Sequence, residues 1–320
     1  MADTPDLDLT VRAVTPLAEG IAAFELAAGD GALLPPFTAG SHVTVHLPNG
    51  LERQYSLCNA PWERHRYVIA VHAAPNSRGG SLVMHRDIGP GTVLRTSRPK
   101  NFFGLQENAG SLLFIAGGIG ITPIRSMIAR AETLGLPWRL VYATRTPELT
   151  AFRDEATGAW RDRCHLHHSG EANERLLDLS AWLASPAPET HLYCCGPTPM
   201  MQAVAAGTRH WPDDHVHFEW FGPAPGDAAG GDAFEVEIAS TGEILPVASG
   251  QSVLEALREA GIDCESSCEE GTCGTCATRV LAGDPDHRDS IVPGDADLRA
   301  QGIMMLCVSR ARSPRLVLDL

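Results

Sequence analysis

"AGGIGITPI", residues 116–124, follows the apolar run "SLLFI" and precedes "RSMIARAETLG". These flanks predict a strand before the glycines and a helix after them. In the helix, Ile124, Met127, Ile128 and Ala131 recur at i, i+3, i+4 and i+7, and Gly135 suits its C-terminal end. Thr122 can cap the helix, and Pro123 suits its first turn. Gly117, Gly118 and Gly120 let a backbone approach a pyrophosphate at the helix N-terminus. The segment is not G-x-G-x-x-G, so a plain tight strand–helix turn competes with that reading.

The neighbouring sequence favours the nucleotide. "RLVYAT" (139–144) and "HLYCCG" (191–196) are short, continuous apolar runs of the kind found in buried parallel strands. "CCGPTPM" (194–200) repeats the arrangement: a strand, a glycine, then Thr198 and Pro199 opening a helix. Strand C-termini are where α/β domains bind ligands, and two glycine turns facing one crevice suit a dinucleotide. Residues 106–221 therefore read as a doubly wound α/β domain. Cys194 reads as a small buried hydrophobe, and "HLHH" (165–168) as a strand or solvated turn rather than a metal site.

Residues 1–105 differ. "HVTVHL" (42–47) and "YVIAVH" (67–72) alternate at period two, with turn residues at "PNG" and "APNSRGG". This predicts an antiparallel sheet or β-barrel. "RQYSL" (53–57) and the glycine turn "SRGGS" (77–81) each carry little alone. Together, Arg53 and an anion nest at Gly79, Gly80 and Ser81 could hold one phosphate.

Downstream, "GPAPGDAAGGD" (222–232) has no periodicity and reads as a linker. Beyond it, residues 233–320 read as a small α+β domain. "FEVEIA" (234–239) is a strand, with a hairpin through Thr241-Gly242. "SVLEALREAG" (252–261) is a helix with a Ser252/Glu255 capping box and Gly261 at C′. Strands follow at "TRVLAG" and "RLVLDL". Between the helix and these strands "CEEGTCGTC" (268–276) crowds three cysteines into the spacing C-x4-C-x2-C, and the next cysteine is Cys307. Structural zinc usually takes paired C-x2-C knuckles. The spacing at Cys268, Cys273, Cys276 and Cys307 is the plant-type [2Fe–2S] pattern, and zinc is the alternative. Cys264 reads as a buried thiol outside the ligand set.

The 320 residues carry a formal net charge of −14, which argues against nucleic-acid and membrane-surface binding. The N-terminal "MADTPDLDLTVRAV" has neither the basic nor the apolar region of a secretory signal. The expected compartment is the cytoplasm, where several of the nine cysteines would be reduced thiols and a disulfide staple is the poorest explanation for the cluster.

The order R-x-Y-S, GGS, GGIGITP, CGP and E-x-aromatic, then "CEEGTCGTC", "DHRDSIV" (286–292) and "CVSRA" (307–311), resembles one family over nearly the whole chain. That family comprises the phthalate dioxygenase reductases and vanillate demethylase reductases, ferredoxin-reductase-like flavoproteins fused to a β-grasp ferredoxin. The resemblance implies an FMN-binding barrel with Arg53, Tyr55 and Ser56 at the flavin and Gly79, Gly80 and Ser81 at its phosphate. It implies an NAD turn at Gly117, Gly118, Gly120, Thr122 and Pro123, and a nicotinamide motif at Cys195, Gly196 and Pro197. Glu219 and Phe221 match an acid and an aromatic near the flavin face, and Ser56, Cys195, Glu219 and Phe221 are the candidate catalytic residues. Two positions depart from the family, Ser77 for a frequent glycine and His72 for a frequent basic residue. The implied activity is an NADH-dependent oxidoreductase passing electrons through FMN and the cluster to a terminal oxygenase. That partner would be a Rieske non-haem iron enzyme by preference or a cytochrome P450, and the reductase a monomer. Arg145, after the second parallel strand, is a lone signal for a 2′-phosphate pocket; the resemblance points to NADH. The reading from outside the enzyme class is a redox-sensing flavin module with a structural zinc.

Overall fold

The structure is a computed structural model that describes residues 6–74, 79–170, 177–185, 187–221, 230–266, 269, 271, 274–289 and 301–320. Cys268, Cys273, Ser77 and most of the expected linker lie outside the described residues. The chain divides into two units, Met1–Glu219 and Trp220–Leu320. No helix of the described residues is long and apolar enough to cross a membrane.

The first unit opens with β1 (Leu7–Ala18), β2 (Ile21–Ala28), β3 (His42–His46), β4 (Glu52–Ser56), β5 (Tyr67–His72), α1 (Gly80–Asp87) and β6 (Val93–Thr96). The strands order as β4-β3-β6-β1-β2-β5, and every pairing is antiparallel. Leu57 bridges Ile69, and the Cys58 amide donates to the Val68 carbonyl at 2.8 Å. The two edge strands thus meet, and the sheet closes as a barrel without an open edge. Phe24, Leu26, Val43, Val45, Ile69 and Leu94 fill it. The sequence pattern identifies β3 and β5 but not β1, whose alternation is broken by register shifts at Val11/Ala13 and Pro16/Ala18.

The nucleotide half follows: β7 (Ser111–Gly117), α2 (Ile121–Leu134), β8 (Trp138–Thr144), α3 (Arg153–Thr157), β9 (Cys164–His168), α4 (Ser180–Leu183), β10 (Thr190–Cys195), α5 (Thr198–Gly207) and β11 (Val216–Glu219). The sheet is parallel throughout, in the order β11-β10-β7-β8-β9. Chain direction across the sheet reverses between β7 and β10. Their C-terminal ends lie side by side there, the place where open α/β sheets bind ligands. Ile124, Met127, Ile128 and Ala131 are buried as the helical period requires, and "HLHH" is a strand.

The second unit contains β12 (Phe234–Ile238), β13 (Ile244–Val247), α6 (Val253–Glu259), β14 (Ala277–Ala282), β15 (Pro285–Asp286), β16 (Ile303–Met305), β17 (Arg310–Ala311) and β18 (Arg315–Leu318). The mixed sheet runs β13-β12-β18-β14-β16, with β12 and β18 parallel. Helix α6 has the capping box expected of it: the Ser252 hydroxyl accepts from the Glu255 amide at 3.1 Å, and the Glu255 carboxylate accepts from the Ser252 amide at 2.8 Å. The β12–β13 hairpin loop is longer than Thr241-Gly242 alone, because the second strand starts only at Ile244.

Candidate active site

Strand β4 carries Arg53, Tyr55 and Ser56 along the closing edge of the barrel. Helix α1 begins beside it. Gly79 holds φ +94 as its N-cap, and a Cβ on Gly80 would lie 2.6 Å from the Arg53 Cγ. Arg53 therefore lies across the first turn of α1, joining the two segments that the sequence pairs as a phosphate site. Two polar atoms here fit a missing group. The Ser81 hydroxyl and the Tyr55 hydroxyl are buried without a hydrogen-bond partner among the described residues. Leaving such groups unsatisfied is costly, so a ligand that supplies partners is the expected remedy. Burial pushes the Tyr55 phenol up to about 12, against a smaller opposing effect of Arg53.

The two glycine turns of the nucleotide half pack on one another. A Cβ on Gly120 would collide with the Cys195 carbonyl, and one on Gly117 would collide with the Pro197 ring. These glycines are thus explained by turn-on-turn packing, while Gly118, at φ +52, faces open space. The Tyr142 hydroxyl lies 3.2 Å from the Gly118 carbonyl and steadies the turn from below. Thr122 does not cap α2. A short 3-10 turn over Gly118–Gly120 makes Gly120 the N-cap, and the Thr122 hydroxyl donates to the Ile119 carbonyl at 2.9 Å from inside the first turn. Pro123 sits in that first turn, and Pro197 precedes α5 as its N-cap.

Cys195 ends β10, in register with Ala116 on β7 and Glu219 on β11. The parallel sheet and the barrel meet here, where the Ser56 hydroxyl donates to the Glu219 carboxyl at 3.3 Å. Desolvation pushes the Glu219 carboxyl up to about 8, partly offset by that hydrogen bond. Burial, then the neighbouring Glu219, raise the Cys195 thiol well above its ordinary range, so it stays protonated near neutrality. The site thus holds no pre-formed nucleophile. It brings the β4 strand and the paired glycine turns after β7 and β10 together around one proton-holding carboxyl.

Arg145 is exposed after β8. Phe221 belongs to the second unit and is 48% exposed. In that unit Cys276 and Cys307 are both buried. The Leu306 amide donates to the Cys276 carbonyl at 3.2 Å, beside the Ala277–Met305 pair, so both cysteines come to one end of the β14–β16 ladder. Gly271 is left-handed at φ +69, and a Cβ there would press on Val308, which follows Cys307. The two described cysteines, Cys276 and Cys307, come together as thiol donors of the kind an iron–sulfur cluster takes, while Cys268 and Cys273 lie outside the described residues. Cys264 is only partly buried, not the buried thiol expected. Cys194 is buried, with its thiol 3.5 Å from the Met201 sulfur.

Arg125 and Glu155 were not singled out by the sequence. Arg125 donates to the Cys58 carbonyl at 2.6 Å, and no periodic or motif signal distinguishes it from a surface charge on α2.

Residues 114–206 match the oxidoreductase NAD-binding domain, and residues 236–312 match the 2Fe-2S iron-sulfur cluster binding domain. The phthalate 4,5-dioxygenase oxygenase reductase subunit of Pseudomonas putida is 47% identical over 314 residues, covering 98% of this chain and 96% of that protein. The vanillate O-demethylase oxidoreductase of Pseudomonas putida is 43% identical, covering 98% and 100%. Among solved structures, phthalate dioxygenase reductase, described as a modular structure for electron transfer from pyridine nucleotides to [2Fe-2S], matches with TM-score 0.72 and 42% identity over 98% of both chains. An intact type IV self-sufficient cytochrome P450 monooxygenase matches with TM-score 0.90 and 36% identity; this chain is covered over 98% and spans 41% of that protein.

Proposed function

The chain belongs to the phthalate dioxygenase reductase and vanillate demethylase reductase family, and from that premise we propose that it is the reductase component of a multicomponent oxygenase. It takes electrons from NADH and delivers them to a Rieske-type aromatic dioxygenase or demethylase. The observation that carries this reading is the Ser56–Glu219 hydrogen bond, which makes the flavin strand and the nucleotide crevice one site.

The proposed division of the chain is an FMN barrel over 1–105, an NAD domain over 106–221, a linker over 222–232 and a ferredoxin over 233–320. FMN would supply the conversion of a two-electron donor into single electrons, and a plant-type cluster, at roughly −400 mV, would supply the onward one-electron carrier. The rest is the work of side chains. Arg53 and the first turn of α1, through Gly79, Gly80 and Ser81, hold the phosphate of FMN. Tyr55 and Ser56 line the flavin. The turn at Gly117, Gly118, Gly120, Thr122 and Pro123 holds the pyrophosphate of NADH. Cys195, Gly196 and Pro197 bound the nicotinamide side, where an uncharged thiol excludes water without competing for hydride. Glu219 holds a proton beside Ser56, and Phe221 matches the aromatic that family members carry near the flavin face. Cys268, Cys273, Cys276 and Cys307 ligate the cluster, and a structural zinc is set aside because the matched domain is an iron–sulfur one. The reductase works in the cytoplasm, where NADH is regenerated.

A second reading, delivery to a cytochrome P450, is supported by the 36% identity to the P450 monooxygenase. Supplying the holoprotein and NADH separately to the oxygenase component of an aromatic dioxygenase and to a P450 decides between them. Product formation with the Rieske oxygenase is expected; turnover with the P450 alone would overturn the assignment.

A further inference from the structure

Arg125 lies in the second turn of α2, just past the nucleotide turn, yet its guanidinium leaves the nucleotide half. Its Nη1 donates to the Cys58 carbonyl at 2.6 Å. The other face of the guanidinium is held bidentately by Glu155 of α3, Nε to Oε2 at 2.9 Å and Nη2 to Oε1 at 2.7 Å. Phe152, in a left-handed backbone conformation at φ +54, places its ring 4.8 Å beneath the guanidinium. The donor that reaches the Cys58 carbonyl is therefore aimed by a frame of Glu155 and Phe152 on the nucleotide half.

The acceptor is equally placed. Cys58 is two residues beyond Ser56, and its own amide is spent on Val68 where the barrel closes. The flavin strand is thus gripped from the nucleotide half at two nearby points, Ser56 by Glu219 and Cys58 by Arg125. Two grips fix an angle where one would leave a hinge.

We propose that Arg125 is a positioning residue for hydride transfer, setting the tilt of the NADH turn against the flavin strand, and that Glu155 acts only through Arg125. The inference rests on the proposed reading that NADH reduces a flavin held at β4. Near-attack geometry is steep, and a displacement of about 1 Å can cost on the order of 100-fold in rate.

The test uses full-length holoprotein with flavin content matched to wild type. Wild-type flavin must be bleached by NADH; failure there sinks the reading of the site, not the role of Arg125. With Arg125→Ala, flavin reduction at saturating NADH should slow ~10- to 100-fold while the NADH dissociation constant stays within about twofold. Amide exchange of the segment 57–60 should quicken in the same protein, a change that needs no turnover. Arg125→Lys, which keeps one donor for the Cys58 carbonyl, should recover part of the rate. Glu155→Ala should slow the wild type but add nothing to Arg125→Ala. A wild-type rate in Arg125→Ala, a loss confined to NADH binding, or additive effects of the two alanine variants would each overturn the proposal.

Discussion

Glu219 is the residue on which the proposed chemistry of the site turns. Its carboxyl is pushed up to about 8 because burial at the end of β11 removes water from the charged form, and a single hydrogen bond from Ser56 does not compensate. The sign follows. The folded protein holds this proton more tightly than the unfolded chain. The stability it contributes is complete below the ordinary carboxylate range and is lost as pH rises towards about 8. Thermal melts between pH 5 and pH 9 should show wild type losing stability that Glu219→Gln keeps. Flavin reduction by NADH should respond in the opposite sense. Ionised Glu219 favours the positive charge that develops on the nicotinamide, so the rate should rise through pH about 8 in wild type and stay flat in Glu219→Gln. A flat wild-type profile would remove Glu219 from the reaction.

At the scale of elements, the paired glycine turns after β7 and β10 are one object. Gly120 has no room for a methyl group because the Cys195 carbonyl occupies the space. Gly120→Ala should therefore spread the two turns, cost roughly 1–3 kcal/mol of stability as an overpacked contact does, and weaken NAD+ binding measured by titration. Flavin content should be unchanged, because α1 and β4 do not depend on Gly120. Retention of full NAD+ affinity would contradict the packing account. The same turns show what was legible in the sequence. The strand, the glycines and the apolar face of α2 were readable because each has a local signature. The capping role of Thr122 was misread, because an extra 3-10 turn moved the N-cap back to Gly120, and nothing in the local sequence marks that turn. Strand β1 was missed where bulges and Pro16 break its alternation. Arg125 and Glu155 were invisible because their meaning comes from Cys58, 67 residues away from Arg125 in the chain.

For the whole molecule, the central claim is an ordered relay: NADH reduces the flavin, and electrons leave only through the cluster. The cysteine spacing favoured an iron–sulfur carrier over zinc, and the match to a 2Fe-2S domain decides it, although Cys268 and Cys273 fall outside the described residues. Buried Cys276 and Cys307, brought to one end of the β14–β16 ladder, are consistent with it. Partly buried Cys264 provides the control. The most direct measurement compares wild type, Cys307→Ser and Cys264→Ser as full-length proteins, with iron and acid-labile sulfide assayed in each. Each is mixed anaerobically with NADH in a stopped-flow instrument, with cytochrome c as the one-electron acceptor. All three should bleach their flavin at the same rate. Cys307→Ser should lack the cluster and lose nearly all cytochrome c reduction, while Cys264→Ser should match wild type. Undiminished cytochrome c reduction by the cluster-free Cys307→Ser protein would show that the flavin donates directly, and would contradict the relay.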